Sequence, residues 1–138
     1  MQEPRVSADE FTQLVRDHMQ VGRAFDFKVE EMRRGFARIR LETSEAFRRP
    51  GGTTSGPTLF TLADMTLWAA VLTEIGLEAM AVTSDMSIHF LRRPRLEALI
   101  CEASILKCGR KLVHGDIRIS LASEPGVVCH ATGSYARP

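Results

Sequence analysis

What the sequence has little of narrows the field first. Its 138 residues hold three cysteines (Cys101, Cys108, Cys129), one tryptophan and one tyrosine. An odd cysteine count leaves one thiol over in any disulfide framework, so a reducing, cytoplasmic setting is expected. Neither charge is in excess: 18 basic residues against 17 acidic ones give a formal net charge of +1. Dedicated nucleic-acid or membrane-surface binders are usually strongly basic, so neither partner is expected. The start, MQEPRVSADEF, lacks the apolar stretch of a signal peptide. The longest apolar run, Leu67 to Leu72, falls far short of the ~20 residues that span a bilayer. At ~100–200 residues per domain, 1–138 is a single domain. A chain of this size buries roughly two thirds of its unfolded surface, so it needs neither disulfide nor metal to fold.

What is present is periodicity. Ser7-Ala-Asp-Glu10 has the form of a capping box, and Phe11, Leu14, Val15 and Met19 follow at helical spacing. This predicts an amphipathic helix over about 8–20, with Gly22 as its stop. Phe25, Phe27 and Val29, then Ala37, Ile39 and Leu41, alternate with polar residues, which predicts two half-buried strands joined at Arg33-Arg34-Gly35. Residues 46–57 (AFRRPGGTTSGP) lack a period and read as a loop, with Pro57 suited to a first helical position. From Thr58 a helix of about 18 residues runs to near Gly76, apolar almost all round, as a buried helix is.

Four more strands are predicted. Val82, Ser84, Met86, Ile88 and Phe90 share one parity; Leu99, Cys101, Ala103 and Ile105 share another. Val113, Ile117, Ile119 and Leu121 alternate with polar residues, and Val127, Cys129, Ala131 and Tyr135 complete the set. The expected fold is α+β: about six antiparallel strands curled around a long central helix, plus the N-terminal helix.

Asp64 is the residue out of place, two turns into the most apolar helix. An unpartnered buried carboxylate costs several kcal/mol or changes its pKa. It therefore either works chemically, faces a subunit boundary, or bonds a nearby hydroxyl such as Thr61 or Thr66. The loop before the helix fails two tests: Pro57 stands where a phosphate loop needs Lys, and Gly52-Thr-Thr-Ser55-Gly56 is no nucleophile elbow. A helix start does offer free amides, Gly56 included, to an oxyanion. His18, His89, His114 and His130 have no metal-ligand spacing, and Cys101 and Cys129 share parity with core residues. Arg92, Arg93 and Arg95, and Lys107, Arg110 and Lys111, gather at strand ends. They are solvated rims, or a phosphate site built on charge-assisted hydrogen bonds.

Ser55-Gly-Pro-Thr-Leu-Phe-Thr-Leu-Ala-Asp64 resembles the H-G-G-x-x-x-x-L-x-D segment of hotdog-fold acyl-CoA thioesterases of the phenylacetate-degradation type. Thr83-Ser-Asp-Met-Ser-Ile-His-Phe-Leu-Arg-Arg-Pro94 is similar to that family's strand after the helix, and the likeness runs from about residue 25 to the end. The resemblance implies the hotdog fold and hydrolysis of an acyl-CoA thioester. It implies Asp64 as nucleophile or general base, the Gly56 amide as oxyanion donor, and Thr83 and Ser55 in support. Coenzyme A is then part of the substrate, with no separate cofactor and no metal. Arg49, Thr54, Arg92, Arg93, Lys107 and Arg110 are candidates to bind that substrate. Trp68, with Phe60 and Leu67, is a candidate for the acyl pocket or equally for plain core. The sequence departs from the family where its His falls on Ser55, its second Gly on Pro57 and its upstream Asn or Gln on Arg49.

Gly56 and Asp64 are eight residues apart, about 12 Å at ~1.5 Å per residue. Both must lie ~3 Å or so from one reacting carbonyl, so two antiparallel helices from two subunits are expected to share each site. A homodimer, or a dimer of dimers, is the expected assembly. Two other readings stay open: a non-catalytic acyl-CoA-binding domain, and a hotdog dehydratase or hydratase, whose usual Asp/His pair does not assemble here.

Overall fold

The computed structural model describes residues 2–20 and 24–138. Helix α1 spans Ala8–His18. The Glu10 amide donates to Ser7 Oγ at 3.1 Å and the Ser7 amide to Glu10 Oε1 at 3.0 Å, so the capping box closes. Phe11, Leu14 and Val15 are its buried face. Met19 is its C-cap, and the expected stop at Gly22 lies outside the described residues.

Strands β1 (Asp26–Arg33) and β2 (Phe36–Glu42) form the predicted hairpin, turned at Gly35, whose φ of 81° favours glycine. The Gly35 amide donates to Thr73 Oγ1 at 2.9 Å, which ties the hairpin to the far end of the central helix. The expected loop holds more order than its composition suggested. A short 3-10 turn at Glu45–Phe47 leads into two-residue strands, β3 (Arg48–Arg49) and β4 (Thr53–Thr54). Gly51 and Gly52, both at positive φ, turn the chain between them.

Helix α2 spans Gly56–Ile75, starting two residues before the predicted Thr58. Ser55 caps it, accepting from the Thr58 amide at 3.3 Å, and Gly76 at φ 91° ends it. By length and composition α2 could cross a membrane, yet most of it is buried inside the protein.

Strands β5 (Val82–Phe90), β6 (Leu99–Cys108), β7 (Leu112–Leu121) and β8 (Val127–Ala136) complete an antiparallel sheet in the order β1-β2-β6-β7-β8-β5. The sheet curls around α2, with Leu99, Cys101, Ala103, Ile117, Ile119 and Ala131 facing it. Leu67 of α2 sits over Gly115 and Gly133, which face each other across β7 and β8. A Cβ on Gly133 would stand 2.9 Å from Leu67 Cδ2, and one on Gly115 would overlap Cδ1. The two missing side chains let the helix approach there. All three cysteines are free thiols; burial pushes that of Cys129 up to about 11.

β5 departs from expectation. Val82 and Phe90 are exposed, and only Met86 and Ile88 on that parity are half-buried against the core. A bulge between Thr83 and Asp85 shifts the register, and β5 is an edge strand with no neighbour on one side.

Candidate active site

Asp64 lies half-buried on α2, one turn before Trp68, where the start of β5 and the end of β8 converge. Its partners are not the helix hydroxyls considered from sequence. Thr61 donates to the Pro57 carbonyl at 3.0 Å and Thr66 to the Leu62 carbonyl at 2.8 Å, each back along its own helix. Instead Thr83 Oγ1 donates to Asp64 Oδ1 at 2.7 Å and Tyr135 Oη donates to the same oxygen at 2.8 Å. Tyr135 is buried. Burial first, then the negative charge of Asp64, raise its pKa well above the ordinary phenol range.

The carboxylate opens into a cleft of about 510 Å³ lined by Leu14, His18, Met19, Trp68, Ala81, Val82 and others, mostly apolar. Trp68 is 8% exposed. Its ring meets Phe11 of α1 edge-on at 5.3 Å, which holds the first helix against the second and makes α1 one wall of the cleft. Leu67 is wholly buried and belongs to the core, so of the three acyl-pocket candidates only Trp68 reaches this cleft.

Gly56 lies elsewhere. It opens into a second cleft of about 450 Å³ with Arg49, Thr53, Thr54, Phe90, Arg92 and Arg93. Thr54 is buried there, its hydroxyl donating to the Arg95 carbonyl at 3.2 Å. Among the described residues Arg48 and Arg95 are paired with Glu45, Glu97 and Glu124, whereas no ion pair neutralises Arg49, Arg92 or Arg93. Its chain neighbours and own helix backbone aside, the described atoms within 4 Å of a Cβ built on Gly56 belong to the Phe90 ring, at an ordinary 3.6 Å. Packing inside one protomer therefore does not demand glycine here. Phe60 borders an adjoining apolar hollow with Pro57, Ile88 and Phe90.

The two clefts have no lining residue in common. Asp64 and Thr83 come together; Gly56, Arg49, Thr54, Arg92 and Arg93 come together; the two groups stay apart within one chain. Ser55 is committed to capping α2, its hydroxyl 2.7 Å from that of Thr58. Lys107 and Arg110 lie at the β6–β7 hairpin and line neither cleft.

Sequence reasoning missed Tyr135 as a partner of Asp64. A signal was present: a lone tyrosine at a core parity needs an acceptor for its hydroxyl. It also missed Leu14, His18 and Met19 as the wall beside Asp64, for which the helical pattern of α1 gave no sign. The other histidines are strand residues: His114 lies 2.6 Å from Ser134 Oγ and His130 2.5 Å from Asp116, both outside these clefts. No group of three or more His, Cys, Asp or Glu among the described residues could hold a metal ion.

A helix jacketed by a curled six-stranded antiparallel sheet, with an acid on that helix, defines a hotdog-fold protein. The family model for the thioesterase superfamily matches residues 51–128, and the chain belongs to that superfamily. Among solved structures it is similar to a protein of Silicibacter sp. described as a candidate thioesterase, at 34% identity and a TM-score of 0.88, covering 99% of this chain and 94% of that one. The PaaI protein of the Escherichia coli phenylacetic acid degradation operon has the same fold at 23% identity (TM-score 0.83, 95% and 93% covered). So has zebrafish thioesterase superfamily member 2, at 20% identity (TM-score 0.80, 95% of each). No curated protein sequence matches the chain.

Proposed function

We propose that this protein hydrolyses an acyl-CoA thioester to the free acid and coenzyme A, at a site shared between two copies of the chain. Membership of the thioesterase superfamily supports thioester hydrolysis in general. The observation that carries the finer reading is the placement of the two clefts along the edge strand. Thr83, bonded to Asp64, is near the start of β5, and Phe90, against Gly56, is its last residue. Antiparallel pairing of two β5 edges sets the Asp64 end of one chain beside the Gly56 end of the other. It also covers Val82 and Phe90, which stand 57% and 52% exposed. A dimer, alone or doubled into a tetramer, then supplies both halves of each site.

In this arrangement the acyl group enters the apolar cleft beside Trp68. The phosphates of coenzyme A meet the uncompensated guanidinium groups of Arg49, Arg92 and Arg93. The Gly56 amide of the partner chain donates to the thioester oxygen as charge develops on it. Asp64 acts by one of two routes. As base it takes a proton from water, the water oxygen bonds to the carbonyl carbon, the C–S bond breaks, and the thiolate leaves with that proton. As nucleophile a carboxylate oxygen bonds to the carbon, the C–S bond breaks and the thiolate leaves. Water then cleaves the anhydride to the free acid and the Asp64 carboxylate, the proton it releases going to the thiolate. No metal and no cofactor beyond the coenzyme A of the substrate enters either route.

A thiol-release assay over a panel of acyl-CoAs, run on wild type and Asp64→Asn with the oligomer size measured, tests this. Release by wild type and its loss in a still dimeric variant is the expected result. Equal release by both overturns the role of Asp64. The second reading, an acyl-CoA-binding domain without hydrolysis, is favoured by Ser55, which caps its helix where the family carries His. Tight binding with no thiol release by wild type would select it.

A further inference from the structure

Among the described residues, both side-chain hydrogen bonds to the Asp64 carboxylate end on Oδ1, from Thr83 at 2.7 Å and from Tyr135 at 2.8 Å. None ends on Oδ2. A carboxylate offers about four lone-pair sites over its two oxygens, so one oxygen is engaged and the other is left for chemistry. The Tyr135 hydroxyl also lies 3.2 Å from the Asp64 carbonyl, so it is gripped by the side chain and the backbone of the same residue. The two donors come from different strands, Thr83 on the edge strand β5 and Tyr135 on β8 beside it. The phenol is 4% exposed and stays protonated across the working pH range, so it acts on the carboxylate as a donor and never as a base.

We propose that Tyr135 is a positioning residue: with Thr83 it pins Asp64 Oδ1 and reserves Oδ2 as the oxygen that meets the reacting group. The proposal rests on the reading of Asp64 as the reacting carboxylate. A carboxylate free to turn about its last torsion presents either oxygen and must be reoriented in each cycle. One locked in place carries no such cost at the moment of reaction. In either route above, it is Oδ2 that takes the proton of water or forms the bond to the carbonyl carbon.

Tyr135→Phe keeps the ring and removes only the donor. The variant is expected to lose about tenfold in kcat with KM within about twofold, since the interaction serves the reacting state more than binding. The chemical shift of the Asp64 carboxyl ¹³C at one fixed pH is expected to change as well, because one of the two donors to Oδ1 is gone, whereas loss of a merely space-filling contact leaves it in place.

That resonance, compared in both proteins, reads the contact without turnover. Undiminished hydrolysis by Asp64→Asn would therefore refute the catalytic reading and leave this contact separately testable. Rate loss with an unchanged carboxyl resonance would overturn the proposal and reduce Tyr135 to a space-filling residue. Should Tyr135→Phe not fold, Thr83→Val removes the other donor to Oδ1. It is expected to shift the same carboxyl resonance; a resonance that stays in place overturns the proposal.

Discussion

The two clefts beside α2 differ in nearly every chemical respect. The one at Gly56 is basic: three guanidinium groups gather around it, none of them neutralised by a carboxylate among the described residues. The one at Asp64 is apolar apart from the acid, its two hydroxyl partners and His18, and it is walled by a separate helix. One suits a hydrated polyanion and the other a hydrocarbon. The proposed substrate joins the two chemistries in one molecule, and in the proposed dimer a second chain brings the clefts together.

The largest test of that contrast is to disable each end in turn. Asp64→Asn is expected to lower kcat by about 10²–10⁴-fold with little effect on KM, read by thiol release. Gly56→Val obstructs the amide at the other end and is expected to be inactive too. If the ends belong to different chains, mixing the two dead variants and allowing exchange restores one native site per mixed dimer. Random pairing then returns about a quarter of wild-type activity. Two dead variants that stay dead on mixing would place each site within a single chain.

A smaller effect is expected from Gly115→Ala, which puts a methyl group where Leu67 lies. Overpacking of this kind costs about 1–3 kcal/mol, visible as a lower Tm. Because Leu67 is three residues from Asp64 on the same helix, activity is expected to suffer more than the Gly56 end does, read as kcat against KM. The double variant Arg92→Gln, Arg93→Gln acts on the basic cleft alone. It is expected to raise KM for a full acyl-CoA about tenfold while sparing kcat, since hydrogen bonds to charged groups are worth about 1.5–3 kcal/mol. The smallest effect is ionic. Moving from low to physiological salt is expected to raise that KM about two- to threefold by screening, and to leave the KM of an acyl-pantetheine ester unchanged.

The same contrast separates what was legible in the sequence from what was not. Alternation in β2, β6, β7 and β8 and the all-round apolar character of α2 were readable because those elements are covered on the faces their patterns declare. Asp64 stood out for the same reason, as a charge inside an apolar pattern. β5 misled because an edge strand need not bury either face, and its bulge at Thr83 breaks the period on which parity depends. The strands β3 and β4 are two residues each, too short to show any period. Tyr135 is 71 residues from Asp64 along the chain, and only the curl of the sheet brings its hydroxyl to the carboxylate. The cleft wall from α1 is likewise a product of docking, to which the ring contact between Phe11 and Trp68 contributes.

That contact has a practical consequence. Trp68 is the single indole in the chain, and it borders the Asp64 cleft. Its intrinsic fluorescence is therefore a built-in, label-free gauge of whatever occupies that space. Ligand titrations, stopped-flow transients and displacement of the first helix can all be followed in the unmodified protein through one emission band.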